Sequence, residues 1–192
     1  AADVVAVIAA AGEASAHVVG FSMGGMIAQQ LVIDFPQRVR SLALLGTHSG
    51  GPWAVQAEPK VRQLLFDKAT MSAEDSLHAM RPYTYARDTA DALFDEDALV
   101  RLANQPSARD YQAQLYALIG WSAYLDLPRF KCPTLVMHGL QDELIPPANA
   151  RRTAERIRGA QLIELPDASH WLMTDQNAKV LAALREHIDT HS

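Results

Sequence analysis

Apolar residues follow two rhythms along this chain. In Ala16–Phe21, Arg40–Gly46, Thr134–His138 and Gln161–Leu165 they are close to continuous rather than alternating. That is the pattern of strands buried on both faces of a parallel sheet. Around these runs, apolar residues recur at three and four positions, the helical period. Val4, Val5, Val7 and Ile8 form one such segment, with Asp3 as its expected cap and Gly12 as its end. A second runs from Met26 to about Asp34 and is stopped by Pro36. Ala148–Arg158 and Asn177–Ile188 are the later helices. The first part thus reads helix, strand, helix, strand, the signature of right-handed crossovers in a parallel sheet.

From Thr47 to about Pro128 the rhythm changes. Val61–Phe66, Ala73–Met80, Asp91–Ala103 and Asp110–Tyr124 all carry the helical period, and no strand pattern interrupts them. Residues 47–128 are therefore expected to be an all-helical insertion, a cap over the carboxyl edge of the sheet. Open α/β sheets bind ligands at that edge. The core is then residues 1–46 and 129–192: an α/β unit with a mostly parallel sheet of about four strands flanked by helices.

Length and composition narrow the function classes. At 192 residues the chain is long enough for one domain with a substantial core. A net charge of −5, with no basic stripe, argues against a nucleic-acid partner. Cys132 is the single cysteine, so no internal disulfide can form, and it reads as a small half-buried packing residue. The default compartment is the cytoplasm, although export is compatible with a disulfide-free chain. No apolar stretch reaches the roughly 18 residues of a membrane span, and no signal-peptide pattern is visible. No HExxH or paired-cysteine pattern points to a metal, and no cofactor is expected.

The chemistry begins at Gly20-Phe21-Ser22-Met23-Gly24. An apolar run ends in Gly-x-Ser-x-Gly, and a helical pattern follows at once. A serine on a sharp strand-to-helix turn is held in a strained backbone conformation. Glycines two before and two after leave room where a Cβ would clash. The turn lifts the hydroxyl above the sheet and leaves the Met23 N–H at a helix N-terminus, pointing where an oxyanion would form. A serine hydroxyl needs a base, and the base needs a carboxylate to hold its tautomer. Two later loops supply candidates. Asp142 follows the third strand in His138-Gly139-Leu140-Gln141-Asp142, and His170 follows the fourth in Asp167-Ala168-Ser169-His170-Trp171. Glu143 and Asp167 compete as carboxylates but read as loop or capping residues. His138 is expected to hold its loop by hydrogen bonds. His17, His48, His78, His187 and His191 read as surface or packing residues, with His48 the least secure because it follows a strand on the reactive side.

With these three motifs in Ser, Asp, His order, the chain resembles the α/β-hydrolase fold family from Asp3 to Ile188. The resemblance implies Ser22 as nucleophile, His170 as general base and acid, Asp142 as its orienter, and the Met23 N–H as one oxyanion donor. It implies a serine hydrolase that cleaves small-molecule carboxylic esters through a covalent acyl-enzyme. Lactone or carbon–carbon bond hydrolysis, acyl transfer, and a binding or interaction module without strong catalysis are the alternatives. Ser169 stands where the family often has glycine. Trp53, Trp121 and Trp171 are candidate substrate-binding residues. With Phe66, Met71, Met80 and Tyr124 they would line an apolar pocket or pack the helices of the insertion together.

The resemblance also exposes a difference. Family members place several strands before the elbow strand, and a loop there supplies the second oxyanion donor. Only a helix precedes the elbow strand here, which makes the chain N-terminally short and its oxyanion site incomplete. Loss of one such donor costs about 10²–10³ in turnover, so weak hydrolysis of activated esters is expected unless another group substitutes. The elbow strand becomes a sheet edge with unpaired N–H and C=O groups. Self-association into a homo-oligomer across that edge is the expected consequence. Sedimentation across a dilution series should show dissociation of a larger species; a monomer at every concentration would contradict it.

Overall fold

The computed structural model describes residues 1–68, 70–104 and 106–192. Its sheet has four parallel strands in spatial order β1-β2-β3-β4. These are β1 (Ala16–Phe21), β2 (Val39–Leu45), β3 (Thr134–Gly139) and β4 (Gln161–Leu165). The helices are α1 (Ala2–Ala10), α2 (Met23–Asp34), α3 (Pro59–Asp67), α4 (Ala73–Thr84), α5 (Asp91–Ala103), α6 (Ala108–Leu118), α7 (Ala148–Arg156), α8 (Leu172–Asp175) and α9 (Asn177–Thr190). Four helices, α3 to α6, lie between β2 and β3. Among the described residues no helix is long and apolar enough to cross a membrane.

The continuous apolar runs are explained by burial from both sides. β3 is buried throughout, and β2 at every position except Arg40. Leu42 and Leu44 face one cluster with Ala28, Leu31 and Val32 of α2 and Ala150 of α7. Ala43 and Leu45 face the opposite one, with Leu172 of α8 and Val180 of α9. The sheet is thus the middle of three layers, with period-2 side chains feeding both faces. Among the described residues β1 pairs with β2 alone. Val4 and Val5 of α1 pack against the α2 side, yet Val19 of β1 stays 47% exposed.

Three local expectations shift. Asp3 does not cap α1; Ala1 occupies the cap, and Asp3 sits in the first turn, where the helix dipole favours a carboxylate. α6 ends at Leu118 rather than Tyr124. Gly120 takes φ +79°, and the chain then pairs antiparallel with the loop after β2 through the Gly50–Ser122 bridge. α8 is a short helix that the periodicity does not mark.

Register decides where the chemistry falls. Phe21 pairs with Leu45, Leu45 with Met137, and Gly139 with Leu165. All four strands therefore end at one edge of the sheet, β3 and β4 running two residues past β1 and β2, and the loops carrying Ser22, His48, Asp142 and His170 open along that edge.

The elbow itself is built from contacts to β2. Ser22 has φ +51°, the single positive value at a non-glycine position among the described residues. Its N–H donates to Leu45 O at 2.9 Å, and its own carbonyl accepts from Thr47 Oγ1 at 2.7 Å and from Gly25 N–H at 2.9 Å. The glycines divide differently from the motif. A Cβ on Gly20 would meet Gly24 O at 2.6 Å and the Gly25 Cα at 2.7 Å, and one on Gly25 would meet Thr47 at 2.6 Å. One on Gly24 would meet nothing within 4 Å. The second steric demand is therefore at Gly25, not Gly24.

Gly20→Ala and Gly25→Ala should each cost at least about 1–3 kcal/mol through overpacking. Gly24→Ala should stay within about 1 kcal/mol of the parent, since alanine favours a helix over glycine. Urea unfolding midpoints check this; equal losses at all three positions would contradict it.

Candidate active site

Four loop ends supply the polar groups above the sheet. His170 Nδ1 donates to Asp142 Oδ2 at 2.8 Å, since a carboxylate can only accept. That fixes the neutral tautomer and leaves Nε2 as an acceptor, 3.0 Å from Ser22 Oγ. The three sequence-predicted residues thus form one hydrogen-bonded chain, with His170 and Asp142 both buried. Met23 is the first residue of α2, so its N–H has no intrahelical acceptor and lies beside the Ser22 hydroxyl.

Asp142 shows how a buried carboxylate stays ionised. Burial alone would raise its pKa, but His170 and His138 outweigh that and hold the carboxyl below its ordinary value. His138 Nε2 donates to Ile145 O at 2.8 Å and lies 3.2 Å from Asp142 Oδ2. Asp142 Oδ1 accepts from the backbone N–H of Leu144 at 2.9 Å and Ile145 at 2.7 Å. Glu143 and Asp167, the competing carboxylates, are exposed.

The histidine loop is tied down by residues that no motif marks. Asp175 Oδ2 accepts from Ser169 N–H at 2.7 Å and Ala86 N–H at 3.1 Å, and Oδ1 accepts from Thr89 Oγ1. Trp171 N–H donates to Thr84 O at 2.9 Å. Ser169 Oγ donates to Gln141 O at 3.0 Å, which joins the loops of Asp142 and His170. Ser169 therefore has a bonding role that a glycine could not fill.

A cavity of about 300 Å³ opens over the serine. Ser22, Met23 and Met26 line its floor, Leu65 of α3 and Leu115 of α6 face them, and His48 reaches in from the loop after β2. His48 is more than a packing residue. Its Nδ1 accepts from Gly50 N–H at 2.9 Å, so Nε2 carries the proton. Burial, with a smaller contribution from His138, pushes its pKa down to about 4, so it stays a neutral donor at pH 7.

None of the three tryptophans, Trp53, Trp121 and Trp171, lines this cavity. The turn at Gly120 explains why: it draws Trp121 away from α6 toward the core. Trp121 Nε1 donates to Gln30 Oε1 of α2 at 2.9 Å, and Trp53 stacks on Tyr124 at 4.8 Å. Trp171 lies 5.0 Å from the Phe21 ring and lines a neighbouring cavity, as does Met71. Phe66 is exposed and Met80 is buried.

Comparison with known proteins agrees with this fold. The sequence profile of the alpha/beta hydrolase fold family matches residues 1–176. A poly(3-hydroxyalkanoate) depolymerase of Ectopseudomonas oleovorans is 32% identical over 167 residues, covering 84% of this chain and 57% of that protein. A pimeloyl-(acyl-carrier protein) methyl ester esterase of Chromobacterium violaceum is 28% identical, covering 92% of this chain and 71% of its own length. The solved esterase of Exiguobacterium antarcticum superposes with a TM-score of 0.83 at 22% identity, covering 97% of this chain and 71% of that one. The chain thus spans 57% of the length of the depolymerase and somewhat more of the other two.

His48 gives a stability prediction. As pH falls through 6.5 the unfolded chain protonates this imidazole while the folded one does not until about 4. Stability is therefore present above pH 6.5 and is lost toward pH 4, on the order of 2 kcal/mol between pH 7 and 5. His48→Asn should flatten that part of the fall in urea midpoints. An unchanged slope would contradict it.

Proposed function

The chain belongs to the alpha/beta hydrolase fold family, and from that premise we propose that it cleaves carboxylic esters through a covalent acyl-enzyme on Ser22. The observation that carries the reading is the chain Ser22 Oγ to His170 Nε2 at 3.0 Å and His170 Nδ1 to Asp142 Oδ2 at 2.8 Å. Distances of this kind are what activation of a hydroxyl by a positioned base needs.

In this mechanism His170 Nε2 takes the Ser22 proton as Oγ bonds to the ester carbonyl carbon. The carbonyl π electrons move to oxygen, and the Met23 N–H at the start of α2 donates to the resulting oxyanion. The tetrahedral centre collapses, the C–O bond to the alcohol breaks, and His170 returns its proton to the departing alkoxide. Water then attacks the acyl-serine with His170 again as base, releasing the acid and restoring the hydroxyl. Asp142 remains ionised and stabilises the imidazolium formed in each half-reaction. That role suits a carboxyl held below its ordinary range in a buried site.

The helical segment 47–128 acts here as a cap, with residues 1–46 and 129–192 as core. Leu65, Leu115 and Leu118 bound the Ser22 cavity opposite the elbow, which favours an apolar portion of a small-molecule substrate. The neutral His48 Nε2–H offers that cavity a donor without a charge.

A fluorophosphonate should label the parent protein and fail to label Ser22→Ala, and turnover of p-nitrophenyl acetate should vanish in that variant. Asp142→Asn should keep the fold and lose about 10³–10⁴ in kcat by misplacing the histidine proton. Labelling that survives Ser22→Ala, or an Asp142→Asn enzyme at parental rate, would overturn the mechanism.

A further inference from the structure

A second cavity, of about 560 Å³, adjoins the one over Ser22. Lys68, Tyr111 and Gln114 line both, so the two share a wall. Arg101 of α5 and Trp171 close the far side. Lys68 and Arg101 are the charged residues of its described lining. Neither Lys68 nor Arg101 makes a salt bridge among the described residues. Each lies over an aromatic ring instead: Lys68 Nζ is 5.1 Å from the centre of Tyr111, and Arg101 Cζ is 4.5 Å from that of Trp171.

Arg101 Nη1 also donates to Tyr85 Oη at 3.3 Å. The neighbouring carboxylate, Asp97, is taken up by the hydroxyls of Tyr85 and Thr174. Burial, then the positive charge of Arg101, lowers the Lys68 pKa. Two half-buried cations facing one cavity disfavour each other, and an anion between them would relieve both. Lys68 is the C-cap of α3, and Arg101 lies over Trp171, the residue after His170.

We propose that this cavity is an anion subsite, and that the ester substrates carry a carboxylate remote from the scissile carbonyl, received by Lys68 and Arg101. An apolar stem would run past Leu65 and Leu115 in the Ser22 cavity to the shared wall at Tyr111 and Gln114. Arg101 suits a carboxylate through paired N–H donors, and Lys68 supplies a point charge at the junction. The position of the ester end rests on Ser22 being the nucleophile; the anion subsite does not.

The test uses direct binding, so that it stands apart from turnover. Ser22→Ala protein is titrated in a calorimeter with the monomethyl and dimethyl esters of butanedioic, hexanedioic and octanedioic acids. For at least one length the half-ester should bind about tenfold or more tighter than the diester, the scale of one charge-assisted hydrogen bond. Added salt should erode that preference. Lys68→Met and Arg101→Met, each in the Ser22→Ala background, should remove most of it, while Lys68→Arg should keep it. If Arg101→Met fails to fold, Lys68→Met and the salt titration decide. Equal affinity for half-ester and diester at every length, or a preference indifferent to salt and to Lys68→Met, would overturn the inference. Failure of the ester reading shows separately, as absence of fluorophosphonate labelling in the parent.

Discussion

The arrangement depends on one backbone torsion. Ser22 sits at φ +51°, a region that a side-chain-bearing residue reaches only at a cost of about 1–3 kcal/mol. The surrounding structure over-determines it. β2 accepts the Ser22 N–H and returns a hydrogen bond through Thr47, while the Gly20–Gly25 contact lets α2 start directly against β1. Relaxing that torsion would drop the hydroxyl toward the sheet and separate it from His170. The parallel register of the four strands does the rest, because it brings loops far apart in sequence to one edge.

The buried carboxylate is the second constraint, and it is subject to opposing effects. Burial opposes the charge on Asp142, while two imidazoles favour it. The net direction is toward ionisation, which is what an orienting group beneath a histidine needs. Its loop is in turn tied to the His170 loop through Ser169 and Gln141, and the His170 loop to residues 84–89 through Asp175 and Trp171. The helical segment after β2 is thereby connected to the same groups that hold the imidazole. On the ester-hydrolase reading, movement of that segment would be felt at the base.

Much of this was legible in the sequence because it depends on local chemistry. The four strands stand out as unbroken apolar runs, and their burial on both faces is the reason. Ser22, Asp142 and His170 are recognisable because each follows a strand end within a patterned loop. What escaped depends on contacts between distant segments. Trp121 bonds to Gln30, 91 positions away, and no periodicity shows that the helix before it stops at Leu118. Asp175 reads as one more surface acid until Ala86, Thr89 and Ser169 are seen around it. Gly24 fits the motif, yet Gly25 carries the steric demand, because Thr47 approaches it from β2. Lys68 and Arg101, which make no salt bridge among the described residues, are 33 positions apart and meet only across a cavity.

On the ester-hydrolase reading, the hydroxyl at the elbow becomes acylated during turnover. Rapid quenching of the protein with p-nitrophenyl acetate, followed by mass spectrometry of its peptides, tests this most directly. The account predicts one acetyl group on the peptide containing Ser22, appearing with the first release of nitrophenol and absent when His170 is replaced by alanine. Release of nitrophenol with that peptide unmodified at every time point, or acetylation that persists without the imidazole, would contradict it.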